Sequence, residues 1–85
     1  MSASELDAEA APGGWDAVEE LPPSAKLVAK VLETNHALSQ GEIAEETLLP
    51  DRTVRYALNR LQEVSLVGSR HSFQDARKQV YFIED

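Results

Sequence analysis

The amino-acid sequence predicts a small α+β domain in which three helices are followed by a β-hairpin. Apolar residues recur at helical spacing in three successive segments between residues 23 and 64. Serine, proline and aspartate stand where the second and third of these helices would begin. Two segments of strand composition, joined by a polar stretch, come after the helices. The length of 85 residues allows one domain.

Composition excludes several classes of chemistry. The chain has no cysteine, which excludes disulfides, thiolate metal sites and cysteine nucleophiles. No apolar run approaches the roughly 18 residues of a membrane span, and the N-terminus is acidic, unlike a signal peptide. We therefore expect a cytoplasmic protein with no membrane partner. Fifteen acidic residues, only three lysines and a net charge of −7 make a halophilic source a hypothesis.

The N-terminal segment differs in composition from the rest of the chain. We expect residues 1–14 to form a disordered acidic tail, because their apolar surface is too small to offset chain entropy. The predicted domain then spans residues 15–85. Trp15, Val18 and Leu21 are spaced to share one side of a short helical turn before Pro22-Pro23. We interpret this turn as a cover for the core, with a partner-binding motif as the alternative.

The first full helix is predicted over Pro23 to Thr34, since proline is favoured in the first turn. Its apolar stripe consists of Leu27, Val28, Val31 and Leu32. A short strand at Ala37-Leu38 is expected to follow.

The second helix is predicted from Gln40 to about Thr47. Ser39 and Glu42 have the spacing of a capping box, in which each side chain bonds the backbone N–H of the other residue. The apolar residues that this helix would bury are Ile43, Ala44 and either Thr47 or Leu48. The segment Leu48-Leu49-Pro50 would then form a tight turn.

The third helix is predicted from Pro50-Asp51 to about Val64-Ser65. Aspartate in the first turn favours the positive end of the helix dipole. The face that this helix would bury consists of Val54, Ala57, Leu58 and Leu61. The opposite face consists of Arg52, Arg55, Tyr56, Asn59 and Arg60. The two strands of the hairpin are predicted at Leu66 to Phe73 and Gln79 to Ile83, with Gln74 to Lys78 at the tip.

This order of helix, turn, helix and hairpin is typical of a winged helix-turn-helix, whose second motif helix enters the major groove of DNA. Here that helix is about residues 51–63. Base edges in the major groove carry a donor and acceptor code, which arginine reads on guanine and asparagine reads on adenine. Arg55 and Asn59 are four residues apart and suit that role. Thr53, in the first turn, could bond a phosphate or touch a thymine methyl.

The predicted wing, about residues 70–79, is basic. Between Pro50 and Val80 six basic residues face three acidic ones, a local balance of +3, whereas residues 1–20 hold six acidic residues and no basic one. We expect the wing to hold flanking phosphates or to enter the minor groove through Arg70, Arg77 and Lys78. A solvated basic face is the plainer interpretation, but the ordered set of motifs favours DNA binding.

Two runs of the sequence, LSQGEIAEETLLPDRTVRYALNRLQEVSLV and RHSFQDARKQVYFI, resemble the winged helix-turn-helix domain of MarR-type transcription regulators, in particular short archaeal versions. The resemblance covers roughly Pro23 to Ile83 and implies a regulator that binds double-stranded DNA sequence-specifically. It implies groove roles for Arg52, Thr53, Arg55, Tyr56, Asn59 and Arg60. It also implies that Asp75, in the wing element Asp75-Ala76-Arg77, orients the arginine toward DNA.

The sequence departs from this family at two turns. Leu48 stands where the turn often has a glycine, so the turn must avoid a left-handed residue or strain one. Ser65 stands where a glycine often ends the recognition helix. Relatives dimerise through additional terminal helices, near which small ligands bind, and no such helices are predicted here. The resemblance therefore carries over neither the homodimer nor an effector pocket, and a homodimer or a protein partner stays open.

No catalytic or metal site is predicted. His36 and His71 lie in unlike elements and lack the spacing of a metal-ligand pair. The neighbouring carboxylates of Glu45-Glu46 diverge by about 100° on a helix and would not share a proton. We therefore predict no enzyme and no cofactor. The alternative function is a protein-interaction winged helix in a transcription or replication complex, which the net charge of −7 would suit.

Overall fold

The computed structural model describes residues 14–75 and 77–84. Within these ranges the elements are α1 (Trp15–Val18), α2 (Pro23–Glu33), β1 (Leu38–Ser39), α3 (Gln40–Thr47), α4 (Asp51–Glu63), β2 (Val67–His71) and β3 (Gln79–Ile83). The strands form an antiparallel sheet in the order β1–β3–β2. The predicted α+β class and winged helix-turn-helix are confirmed, with α1 as an additional short helix. Most of the predicted acidic tail, residues 1–13, lies outside the described residues.

The strand bounds differ from the prediction. β1 lies one residue later than expected, and β2 ends at His71 instead of Phe73. The chain leaves the ladder at Ser72, whose backbone N–H donates to the carbonyl of Lys78 at 2.8 Å and closes the tip of the hairpin. The part of the chain between β2 and β3 that the structure describes, residues 72–75 and 77–78, is therefore longer than the tip that the composition indicated.

The core lies between the helices and one face of the sheet. The four predicted residues of α4 are all buried, which confirms the face assigned from their spacing: Val54, Ala57, Leu58 and Leu61. Ile43 of α3 and Leu66, which precedes β2, are buried against them. This packing fixes the face of α4 that points away from the core.

The apolar stripe predicted for α2 is partly wrong. Val28 and Leu32 are buried, but Leu27 is 41% exposed and Val31 is half-buried. The other buried positions of α2 are Ala25 and Ala29. Alanines allow α2 to approach α4 closely, and the side-chain size that guided the prediction misses them.

The N-terminus of α3 has both bonds of the predicted capping box. The Glu42 backbone N–H donates to the Ser39 Oγ at 3.3 Å, and the Ser39 backbone N–H donates to the Glu42 Oε1 at 2.8 Å. The hydrogen bond from the Ser39 backbone, aided by the positive charge of Lys78, lowers the pKa of Glu42 although burial opposes the shift. Ionised Glu42 therefore stabilises the start of α3.

Acidification should weaken this cap. A carboxyl with a lowered pKa in the folded state stabilises the fold fully above its unfolded pKa, and that stabilisation is lost as the pH falls through the folded pKa. Ser39→Ala should cost about 1 kcal/mol at neutral pH. Glu42→Gln should narrow the stability difference between neutral and acidic pH, measured by urea unfolding, whereas Glu45→Gln on the exposed side of α3 serves as the control. A Glu42→Gln protein with the same pH dependence as the wild type would contradict this account.

The turn between α3 and α4 contains a strained leucine. Leu48 has a left-handed backbone (φ 61°, ψ 26°), and its N–H donates to the carbonyl of Ala44 at 2.8 Å. Ser65, which follows α4, also has a positive φ of 63°. Both lie at the positions where the sequence lacks an expected glycine, so the chain adopts the usual turn geometry at a cost of about 1 kcal/mol or more per residue.

Thr47, one of two alternatives for the buried end of α3, is the buried one, whereas Leu48 is 89% exposed. The Thr47 hydroxyl donates to the carbonyl of Ile43 at 2.7 Å and accepts a hydrogen bond from the N–H of Leu49 at 3.3 Å. A buried hydroxyl with two partners is satisfied. The threonine therefore fixes the direction in which the chain leaves α3 toward α4.

Candidate nucleic-acid interface

The helix-turn-helix of this structure consists of α3 and α4, which are joined at their N-terminal ends as well as through the turn. The side-chain amide of Gln40, at the start of α3, donates to the backbone carbonyl of Asp51, at the start of α4, at 3.3 Å. The sequence did not predict this bond, because Gln40 and Asp51 become neighbours only when the two helices pack. It holds the first turn of α4 in a fixed relation to α3.

Four of the predicted groove residues form one exposed stripe along α4, which we call the reading stripe: Arg52, Arg55, Tyr56 and Asn59. Their spacing of i, i+3, i+4 and i+7 places them on one side of a helix. At 1.5 Å per residue the stripe is roughly 10 Å long. That length is comparable with about three base pairs of DNA.

Thr53 and Arg60 flank the reading stripe and are half-buried. Arg60 is held by its own helix, since its Nη1 donates to the Tyr56 hydroxyl at 3.1 Å and its Nε lies 3.3 Å from the Glu63 Oε1. The guanidinium also lies 5.9 Å from the centre of the Tyr56 ring. Arg60 therefore orients Tyr56, and a groove contact of its own stays a prediction.

The surroundings of Arg60 include helix α1. An open cleft of about 390 Å³ between α1 and α4 is lined by Asp16, Ala17, Glu20, Leu21, Arg60 and Val64. Two carboxylates therefore lie on the same cleft as the guanidinium. No residue spacing predicts that these carboxylates lie beside Arg60, because the position of α1 depends on tertiary packing of a four-residue helix.

Hydrogen bonds within the wing tip shape it around Asp75. The carboxylate of Asp75 accepts a hydrogen bond from the backbone N–H of Arg77 at 3.0 Å, and its Oδ1 lies 3.5 Å from the Arg77 Nε. The Asp75 carbonyl accepts from the Lys78 N–H at 2.9 Å. The Arg77 side chain remains 94% exposed. Asp75 therefore contacts both the backbone and the side chain of Arg77, and its role in orienting this arginine toward DNA stays a prediction.

The third basic residue of the predicted wing site, Arg70, lies on the sheet and not at the tip. Its guanidinium carbon is 5.4 Å from the centre of the Phe82 ring and 5.8 Å from the centre of the Phe73 ring. The Phe73 side chain is 96% exposed. Neither aromatic ring was among the predicted site residues, because phenylalanine in a strand-like segment is ordinarily read as core.

The wing lies close to the start of α3. The charge of Lys78 contributes to the lowered pKa of Glu42 at the N-terminus of α3. The backbone shows the same proximity, since Ser39, which caps α3, pairs with Val80 of β3, two residues after Lys78. Among the described residues no cluster of histidine, aspartate and glutamate could hold a metal ion. No helix in this part of the chain is long and apolar enough to cross a membrane.

Solved structures with this fold include transcription regulators. BpsR from Bordetella bronchiseptica, whose DNA binding is regulated by 6-hydroxynicotinic acid, matches with a TM-score of 0.73 and 25% identity over 76% of this chain and 46% of its own. The PcaV transcriptional regulator from Streptomyces coelicolor, solved with its natural ligand, matches with a TM-score of 0.73 and 22% identity over 98% of this chain and 60% of its own.

A MarR family transcription regulator matches with a TM-score of 0.72 and 14% identity over 78% of this chain and 44% of its own. This chain spans about half the length of the solved structures that it matches. No family model and no curated protein matches the sequence. The structural neighbours are therefore transcription regulators of the MarR family, and this chain has their winged helix-turn-helix fold.

Proposed function

We propose that this domain is a transcription regulator that binds double-stranded DNA sequence-specifically. The observation that carries the proposal is the reading stripe, an exposed row of two arginines, a tyrosine and an asparagine on the second helix of the helix-turn-helix. In this proposal α4 lies in the major groove. The wing, about residues 70–79, lies on the flanking backbone or in the minor groove. The regulators with the same fold support this reading.

The side chains of the reading stripe suit direct readout of bases. Arg52 and Arg55 can each donate two hydrogen bonds to guanine, and the Asn59 amide can both donate to and accept from adenine. Tyr56, held by Arg60, offers a ring edge and a hydroxyl at the centre of the stripe. Because the buried face of α4 fixes the rotation of the helix, all four side chains approach the groove together.

The wing would supply contacts that position the domain without reading sequence. Arg77 and Lys78 are exposed and lie in the tip that Asp75 braces. Cations at such a position bind phosphate oxygens, and an arginine can also enter a narrow minor groove. The chain as a whole is acidic, so we propose that the reading stripe and wing tip are the regions that meet DNA, with the remaining acidic surface turned away.

One α4 helix reads one half-site, which limits affinity and specificity. We therefore propose that two copies of the domain, or one copy with a protein partner, occupy a full site. A halophilic, archaeal source is also a proposal, supported by the excess of acidic residues over lysines. In concentrated salt, phosphate contacts contribute much less to the binding free energy. Base contacts from the reading stripe would therefore supply more of the affinity.

The proposal is tested by selecting duplexes from a random-sequence pool with the wild-type chain and with a variant that carries Arg52→Ala and Asn59→Ala. We expect the wild type to enrich a short motif and the variant to lose bases from it while its circular dichroism spectrum stays unchanged. Light scattering of the enriched complex counts the copies bound. A pool that shows no enrichment with a folded wild type would contradict sequence-specific binding.

The Lys78→Ala variant tests whether Lys78 contacts a phosphate and not a base. Removing one phosphate contact should weaken binding to every sequence alike and reduce the slope of log affinity against log salt by roughly one unit. The measurement is fluorescence anisotropy at several salt concentrations, with Lys26→Ala, an exposed lysine on α2, as the matched loss of charge. Identical slopes for Lys78→Ala and the wild type would remove Lys78 from the interface.

A protein-interaction module is the second candidate function. Exposed acidic residues in α1 and directly after it, together with the net charge of −7, favour a basic protein surface over a polyanion as the partner on that side of the domain. The carboxylates concerned are Asp16, Glu19 and Glu20. A folded wild-type chain that binds no DNA at any salt concentration would move the assignment to this class.

A further inference from the structure

We propose that Phe73 is an apolar wedge that enters the minor groove and bends the DNA, with Arg70 as the residue that positions its ring. This inference rests on the proposed DNA-binding function and adds a role for a side chain outside the predicted site. Its starting point is the arrangement of two aromatic rings and one guanidinium on the wing. We call this set, Arg70, Phe73 and Phe82, the wing stack.

The wing stack lies on the face of the sheet that points away from the core. Tyr81 and Ile83 of β3 pack against the core, so the alternating residue Phe82 faces the other side. The residue paired with Phe82 on β2 is Gly68, and the Glu84 side chain fills the space above it, with its Cδ 2.6 Å from where a Cβ of residue 68 would stand. Arg70 lies two residues further along β2 on the same face, and its guanidinium covers Phe82.

The same guanidinium reaches Phe73, where the chain has left β2. Arg70 therefore lies near both rings, at 5.4 Å from one ring centre and 5.8 Å from the other. Such cation–π contacts are attractive and favour this arrangement of the guanidinium and the rings. Phe73 lies beside Arg70 while 96% of the residue is exposed.

A single exposed apolar residue is common on protein surfaces and needs no explanation by itself. Phe73 differs because the wing holds three cations, Arg70, Arg77 and Lys78, against one carboxylate at the tip, that of Asp75, which pairs with Arg77. The chain has a net charge of −7, whereas the wing has more basic than acidic residues. An apolar side chain among cations, at the end of a hairpin, has the composition of a minor-groove wedge that unstacks a base step while its neighbours hold phosphates.

Wedge insertion partially unstacks one base step and kinks the duplex toward the major groove. Pyrimidine–purine steps unstack most easily, so we infer that the wing favours a TA or CA step beside the bases that α4 reads. The preference would appear at positions where no side chain bonds a base edge.

The experiment uses a mixed-sequence duplex with 2-aminopurine beside a TA step and a donor and acceptor dye at its two ends. The proteins are the wild type, Phe73→Ala, Phe73→Leu and, as a matched apolar truncation away from the wing, Leu27→Ala, which replaces a residue that is 41% exposed. We expect the wild type and Leu27→Ala to raise 2-aminopurine fluorescence and to shorten the distance between the duplex ends.

Phe73→Ala should lose both signals and bind roughly tenfold more weakly, whereas Phe73→Leu should keep most of both because leucine also serves as a wedge. If Phe73→Ala binds and bends DNA as the wild type does, while Arg55→Ala weakens binding, the wedge is wrong and the proposed function stands. If the folded wild type does not bind the duplex at low salt, the wedge and the proposed function both fail.

Discussion

Arg55→Ala is expected to weaken binding to the preferred duplex by about 1–3 kcal/mol, which is roughly 5- to 150-fold, and to relax preference at one base position. Arg55 is fully available for this contact, since it is exposed near the centre of the reading stripe. Within residues 14–75 and 77–84 no carboxylate pairs with it, unlike Arg60, whose Nε lies 3.3 Å from Glu63. A free guanidinium can place both of its donors on one guanine.

The experiment compares affinities for the preferred duplex and for duplexes changed at single positions. Arg55→Lys keeps the positive charge but loses the paired donors of the guanidinium. It should therefore relax specificity nearly as much as Arg55→Ala does, while it retains more non-specific affinity for DNA. Lys26→Ala removes one positive charge from an exposed position of α2, outside the reading stripe, and should change neither quantity by more than twofold, on the order of 0.4 kcal/mol. An Arg55→Ala protein with unchanged affinity and unchanged preference at every position would remove Arg55 from the interface.

Leu61→Ala is expected to destabilise the domain by about 2–5 kcal/mol, because it leaves a cavity at a position that is 0% exposed. A core of this size supplies only about 3–5 kcal/mol in total. The variant should therefore be largely unfolded at room temperature, and DNA binding should be lost with the fold. Leu61 is the last residue of the buried face of α4, so this side chain ties the helix that carries the reading stripe to the core.

Urea unfolding followed by the fluorescence of Trp15, the single tryptophan, measures this loss. Leu27→Ala is the matched control, since the same substitution at a residue 41% exposed on α2 should cost less than about 1 kcal/mol. Comparable unfolding midpoints for wild type and Leu61→Ala would contradict the packing described for α4.

The sequence predicted the helix-turn-helix well because its signals are local. The capping box at Ser39 and Glu42 and the apolar spacing of α4 depend on residues within one or two turns of each other. Because Leu48 stands in place of a glycine, the sequence predicted a turn that either avoids a left-handed residue or strains one. The structure has the second outcome, a leucine in the left-handed conformation. The hairpin itself was predicted, but its register was not, since His71 and not Phe73 is the last residue of β2 and pairs with Gln79.

What the sequence did not predict depends on packing between elements. Ala25 and Ala29 are buried because α2 lies close to α4, and no spacing rule prefers an alanine to a nearby leucine. Arg60 lines the cleft between α1 and α4 because of the position in which α1, a helix of four residues, packs on the domain. The wing stack requires both strands in register, with Gly68 opposite Phe82, before Arg70 can cover the ring.

The most direct test of the central claim, that α4 and the wing form one DNA-binding surface, is an amide-resolved NMR titration with a mixed-sequence duplex at two salt concentrations. We predict that chemical-shift changes concentrate at residues 52–60 and 70–78, and that they shrink at higher salt more at the wing than on α4. Amide shifts that stay unchanged at both salt concentrations, with the fold intact, would contradict the claim and make the reading stripe a surface for another partner.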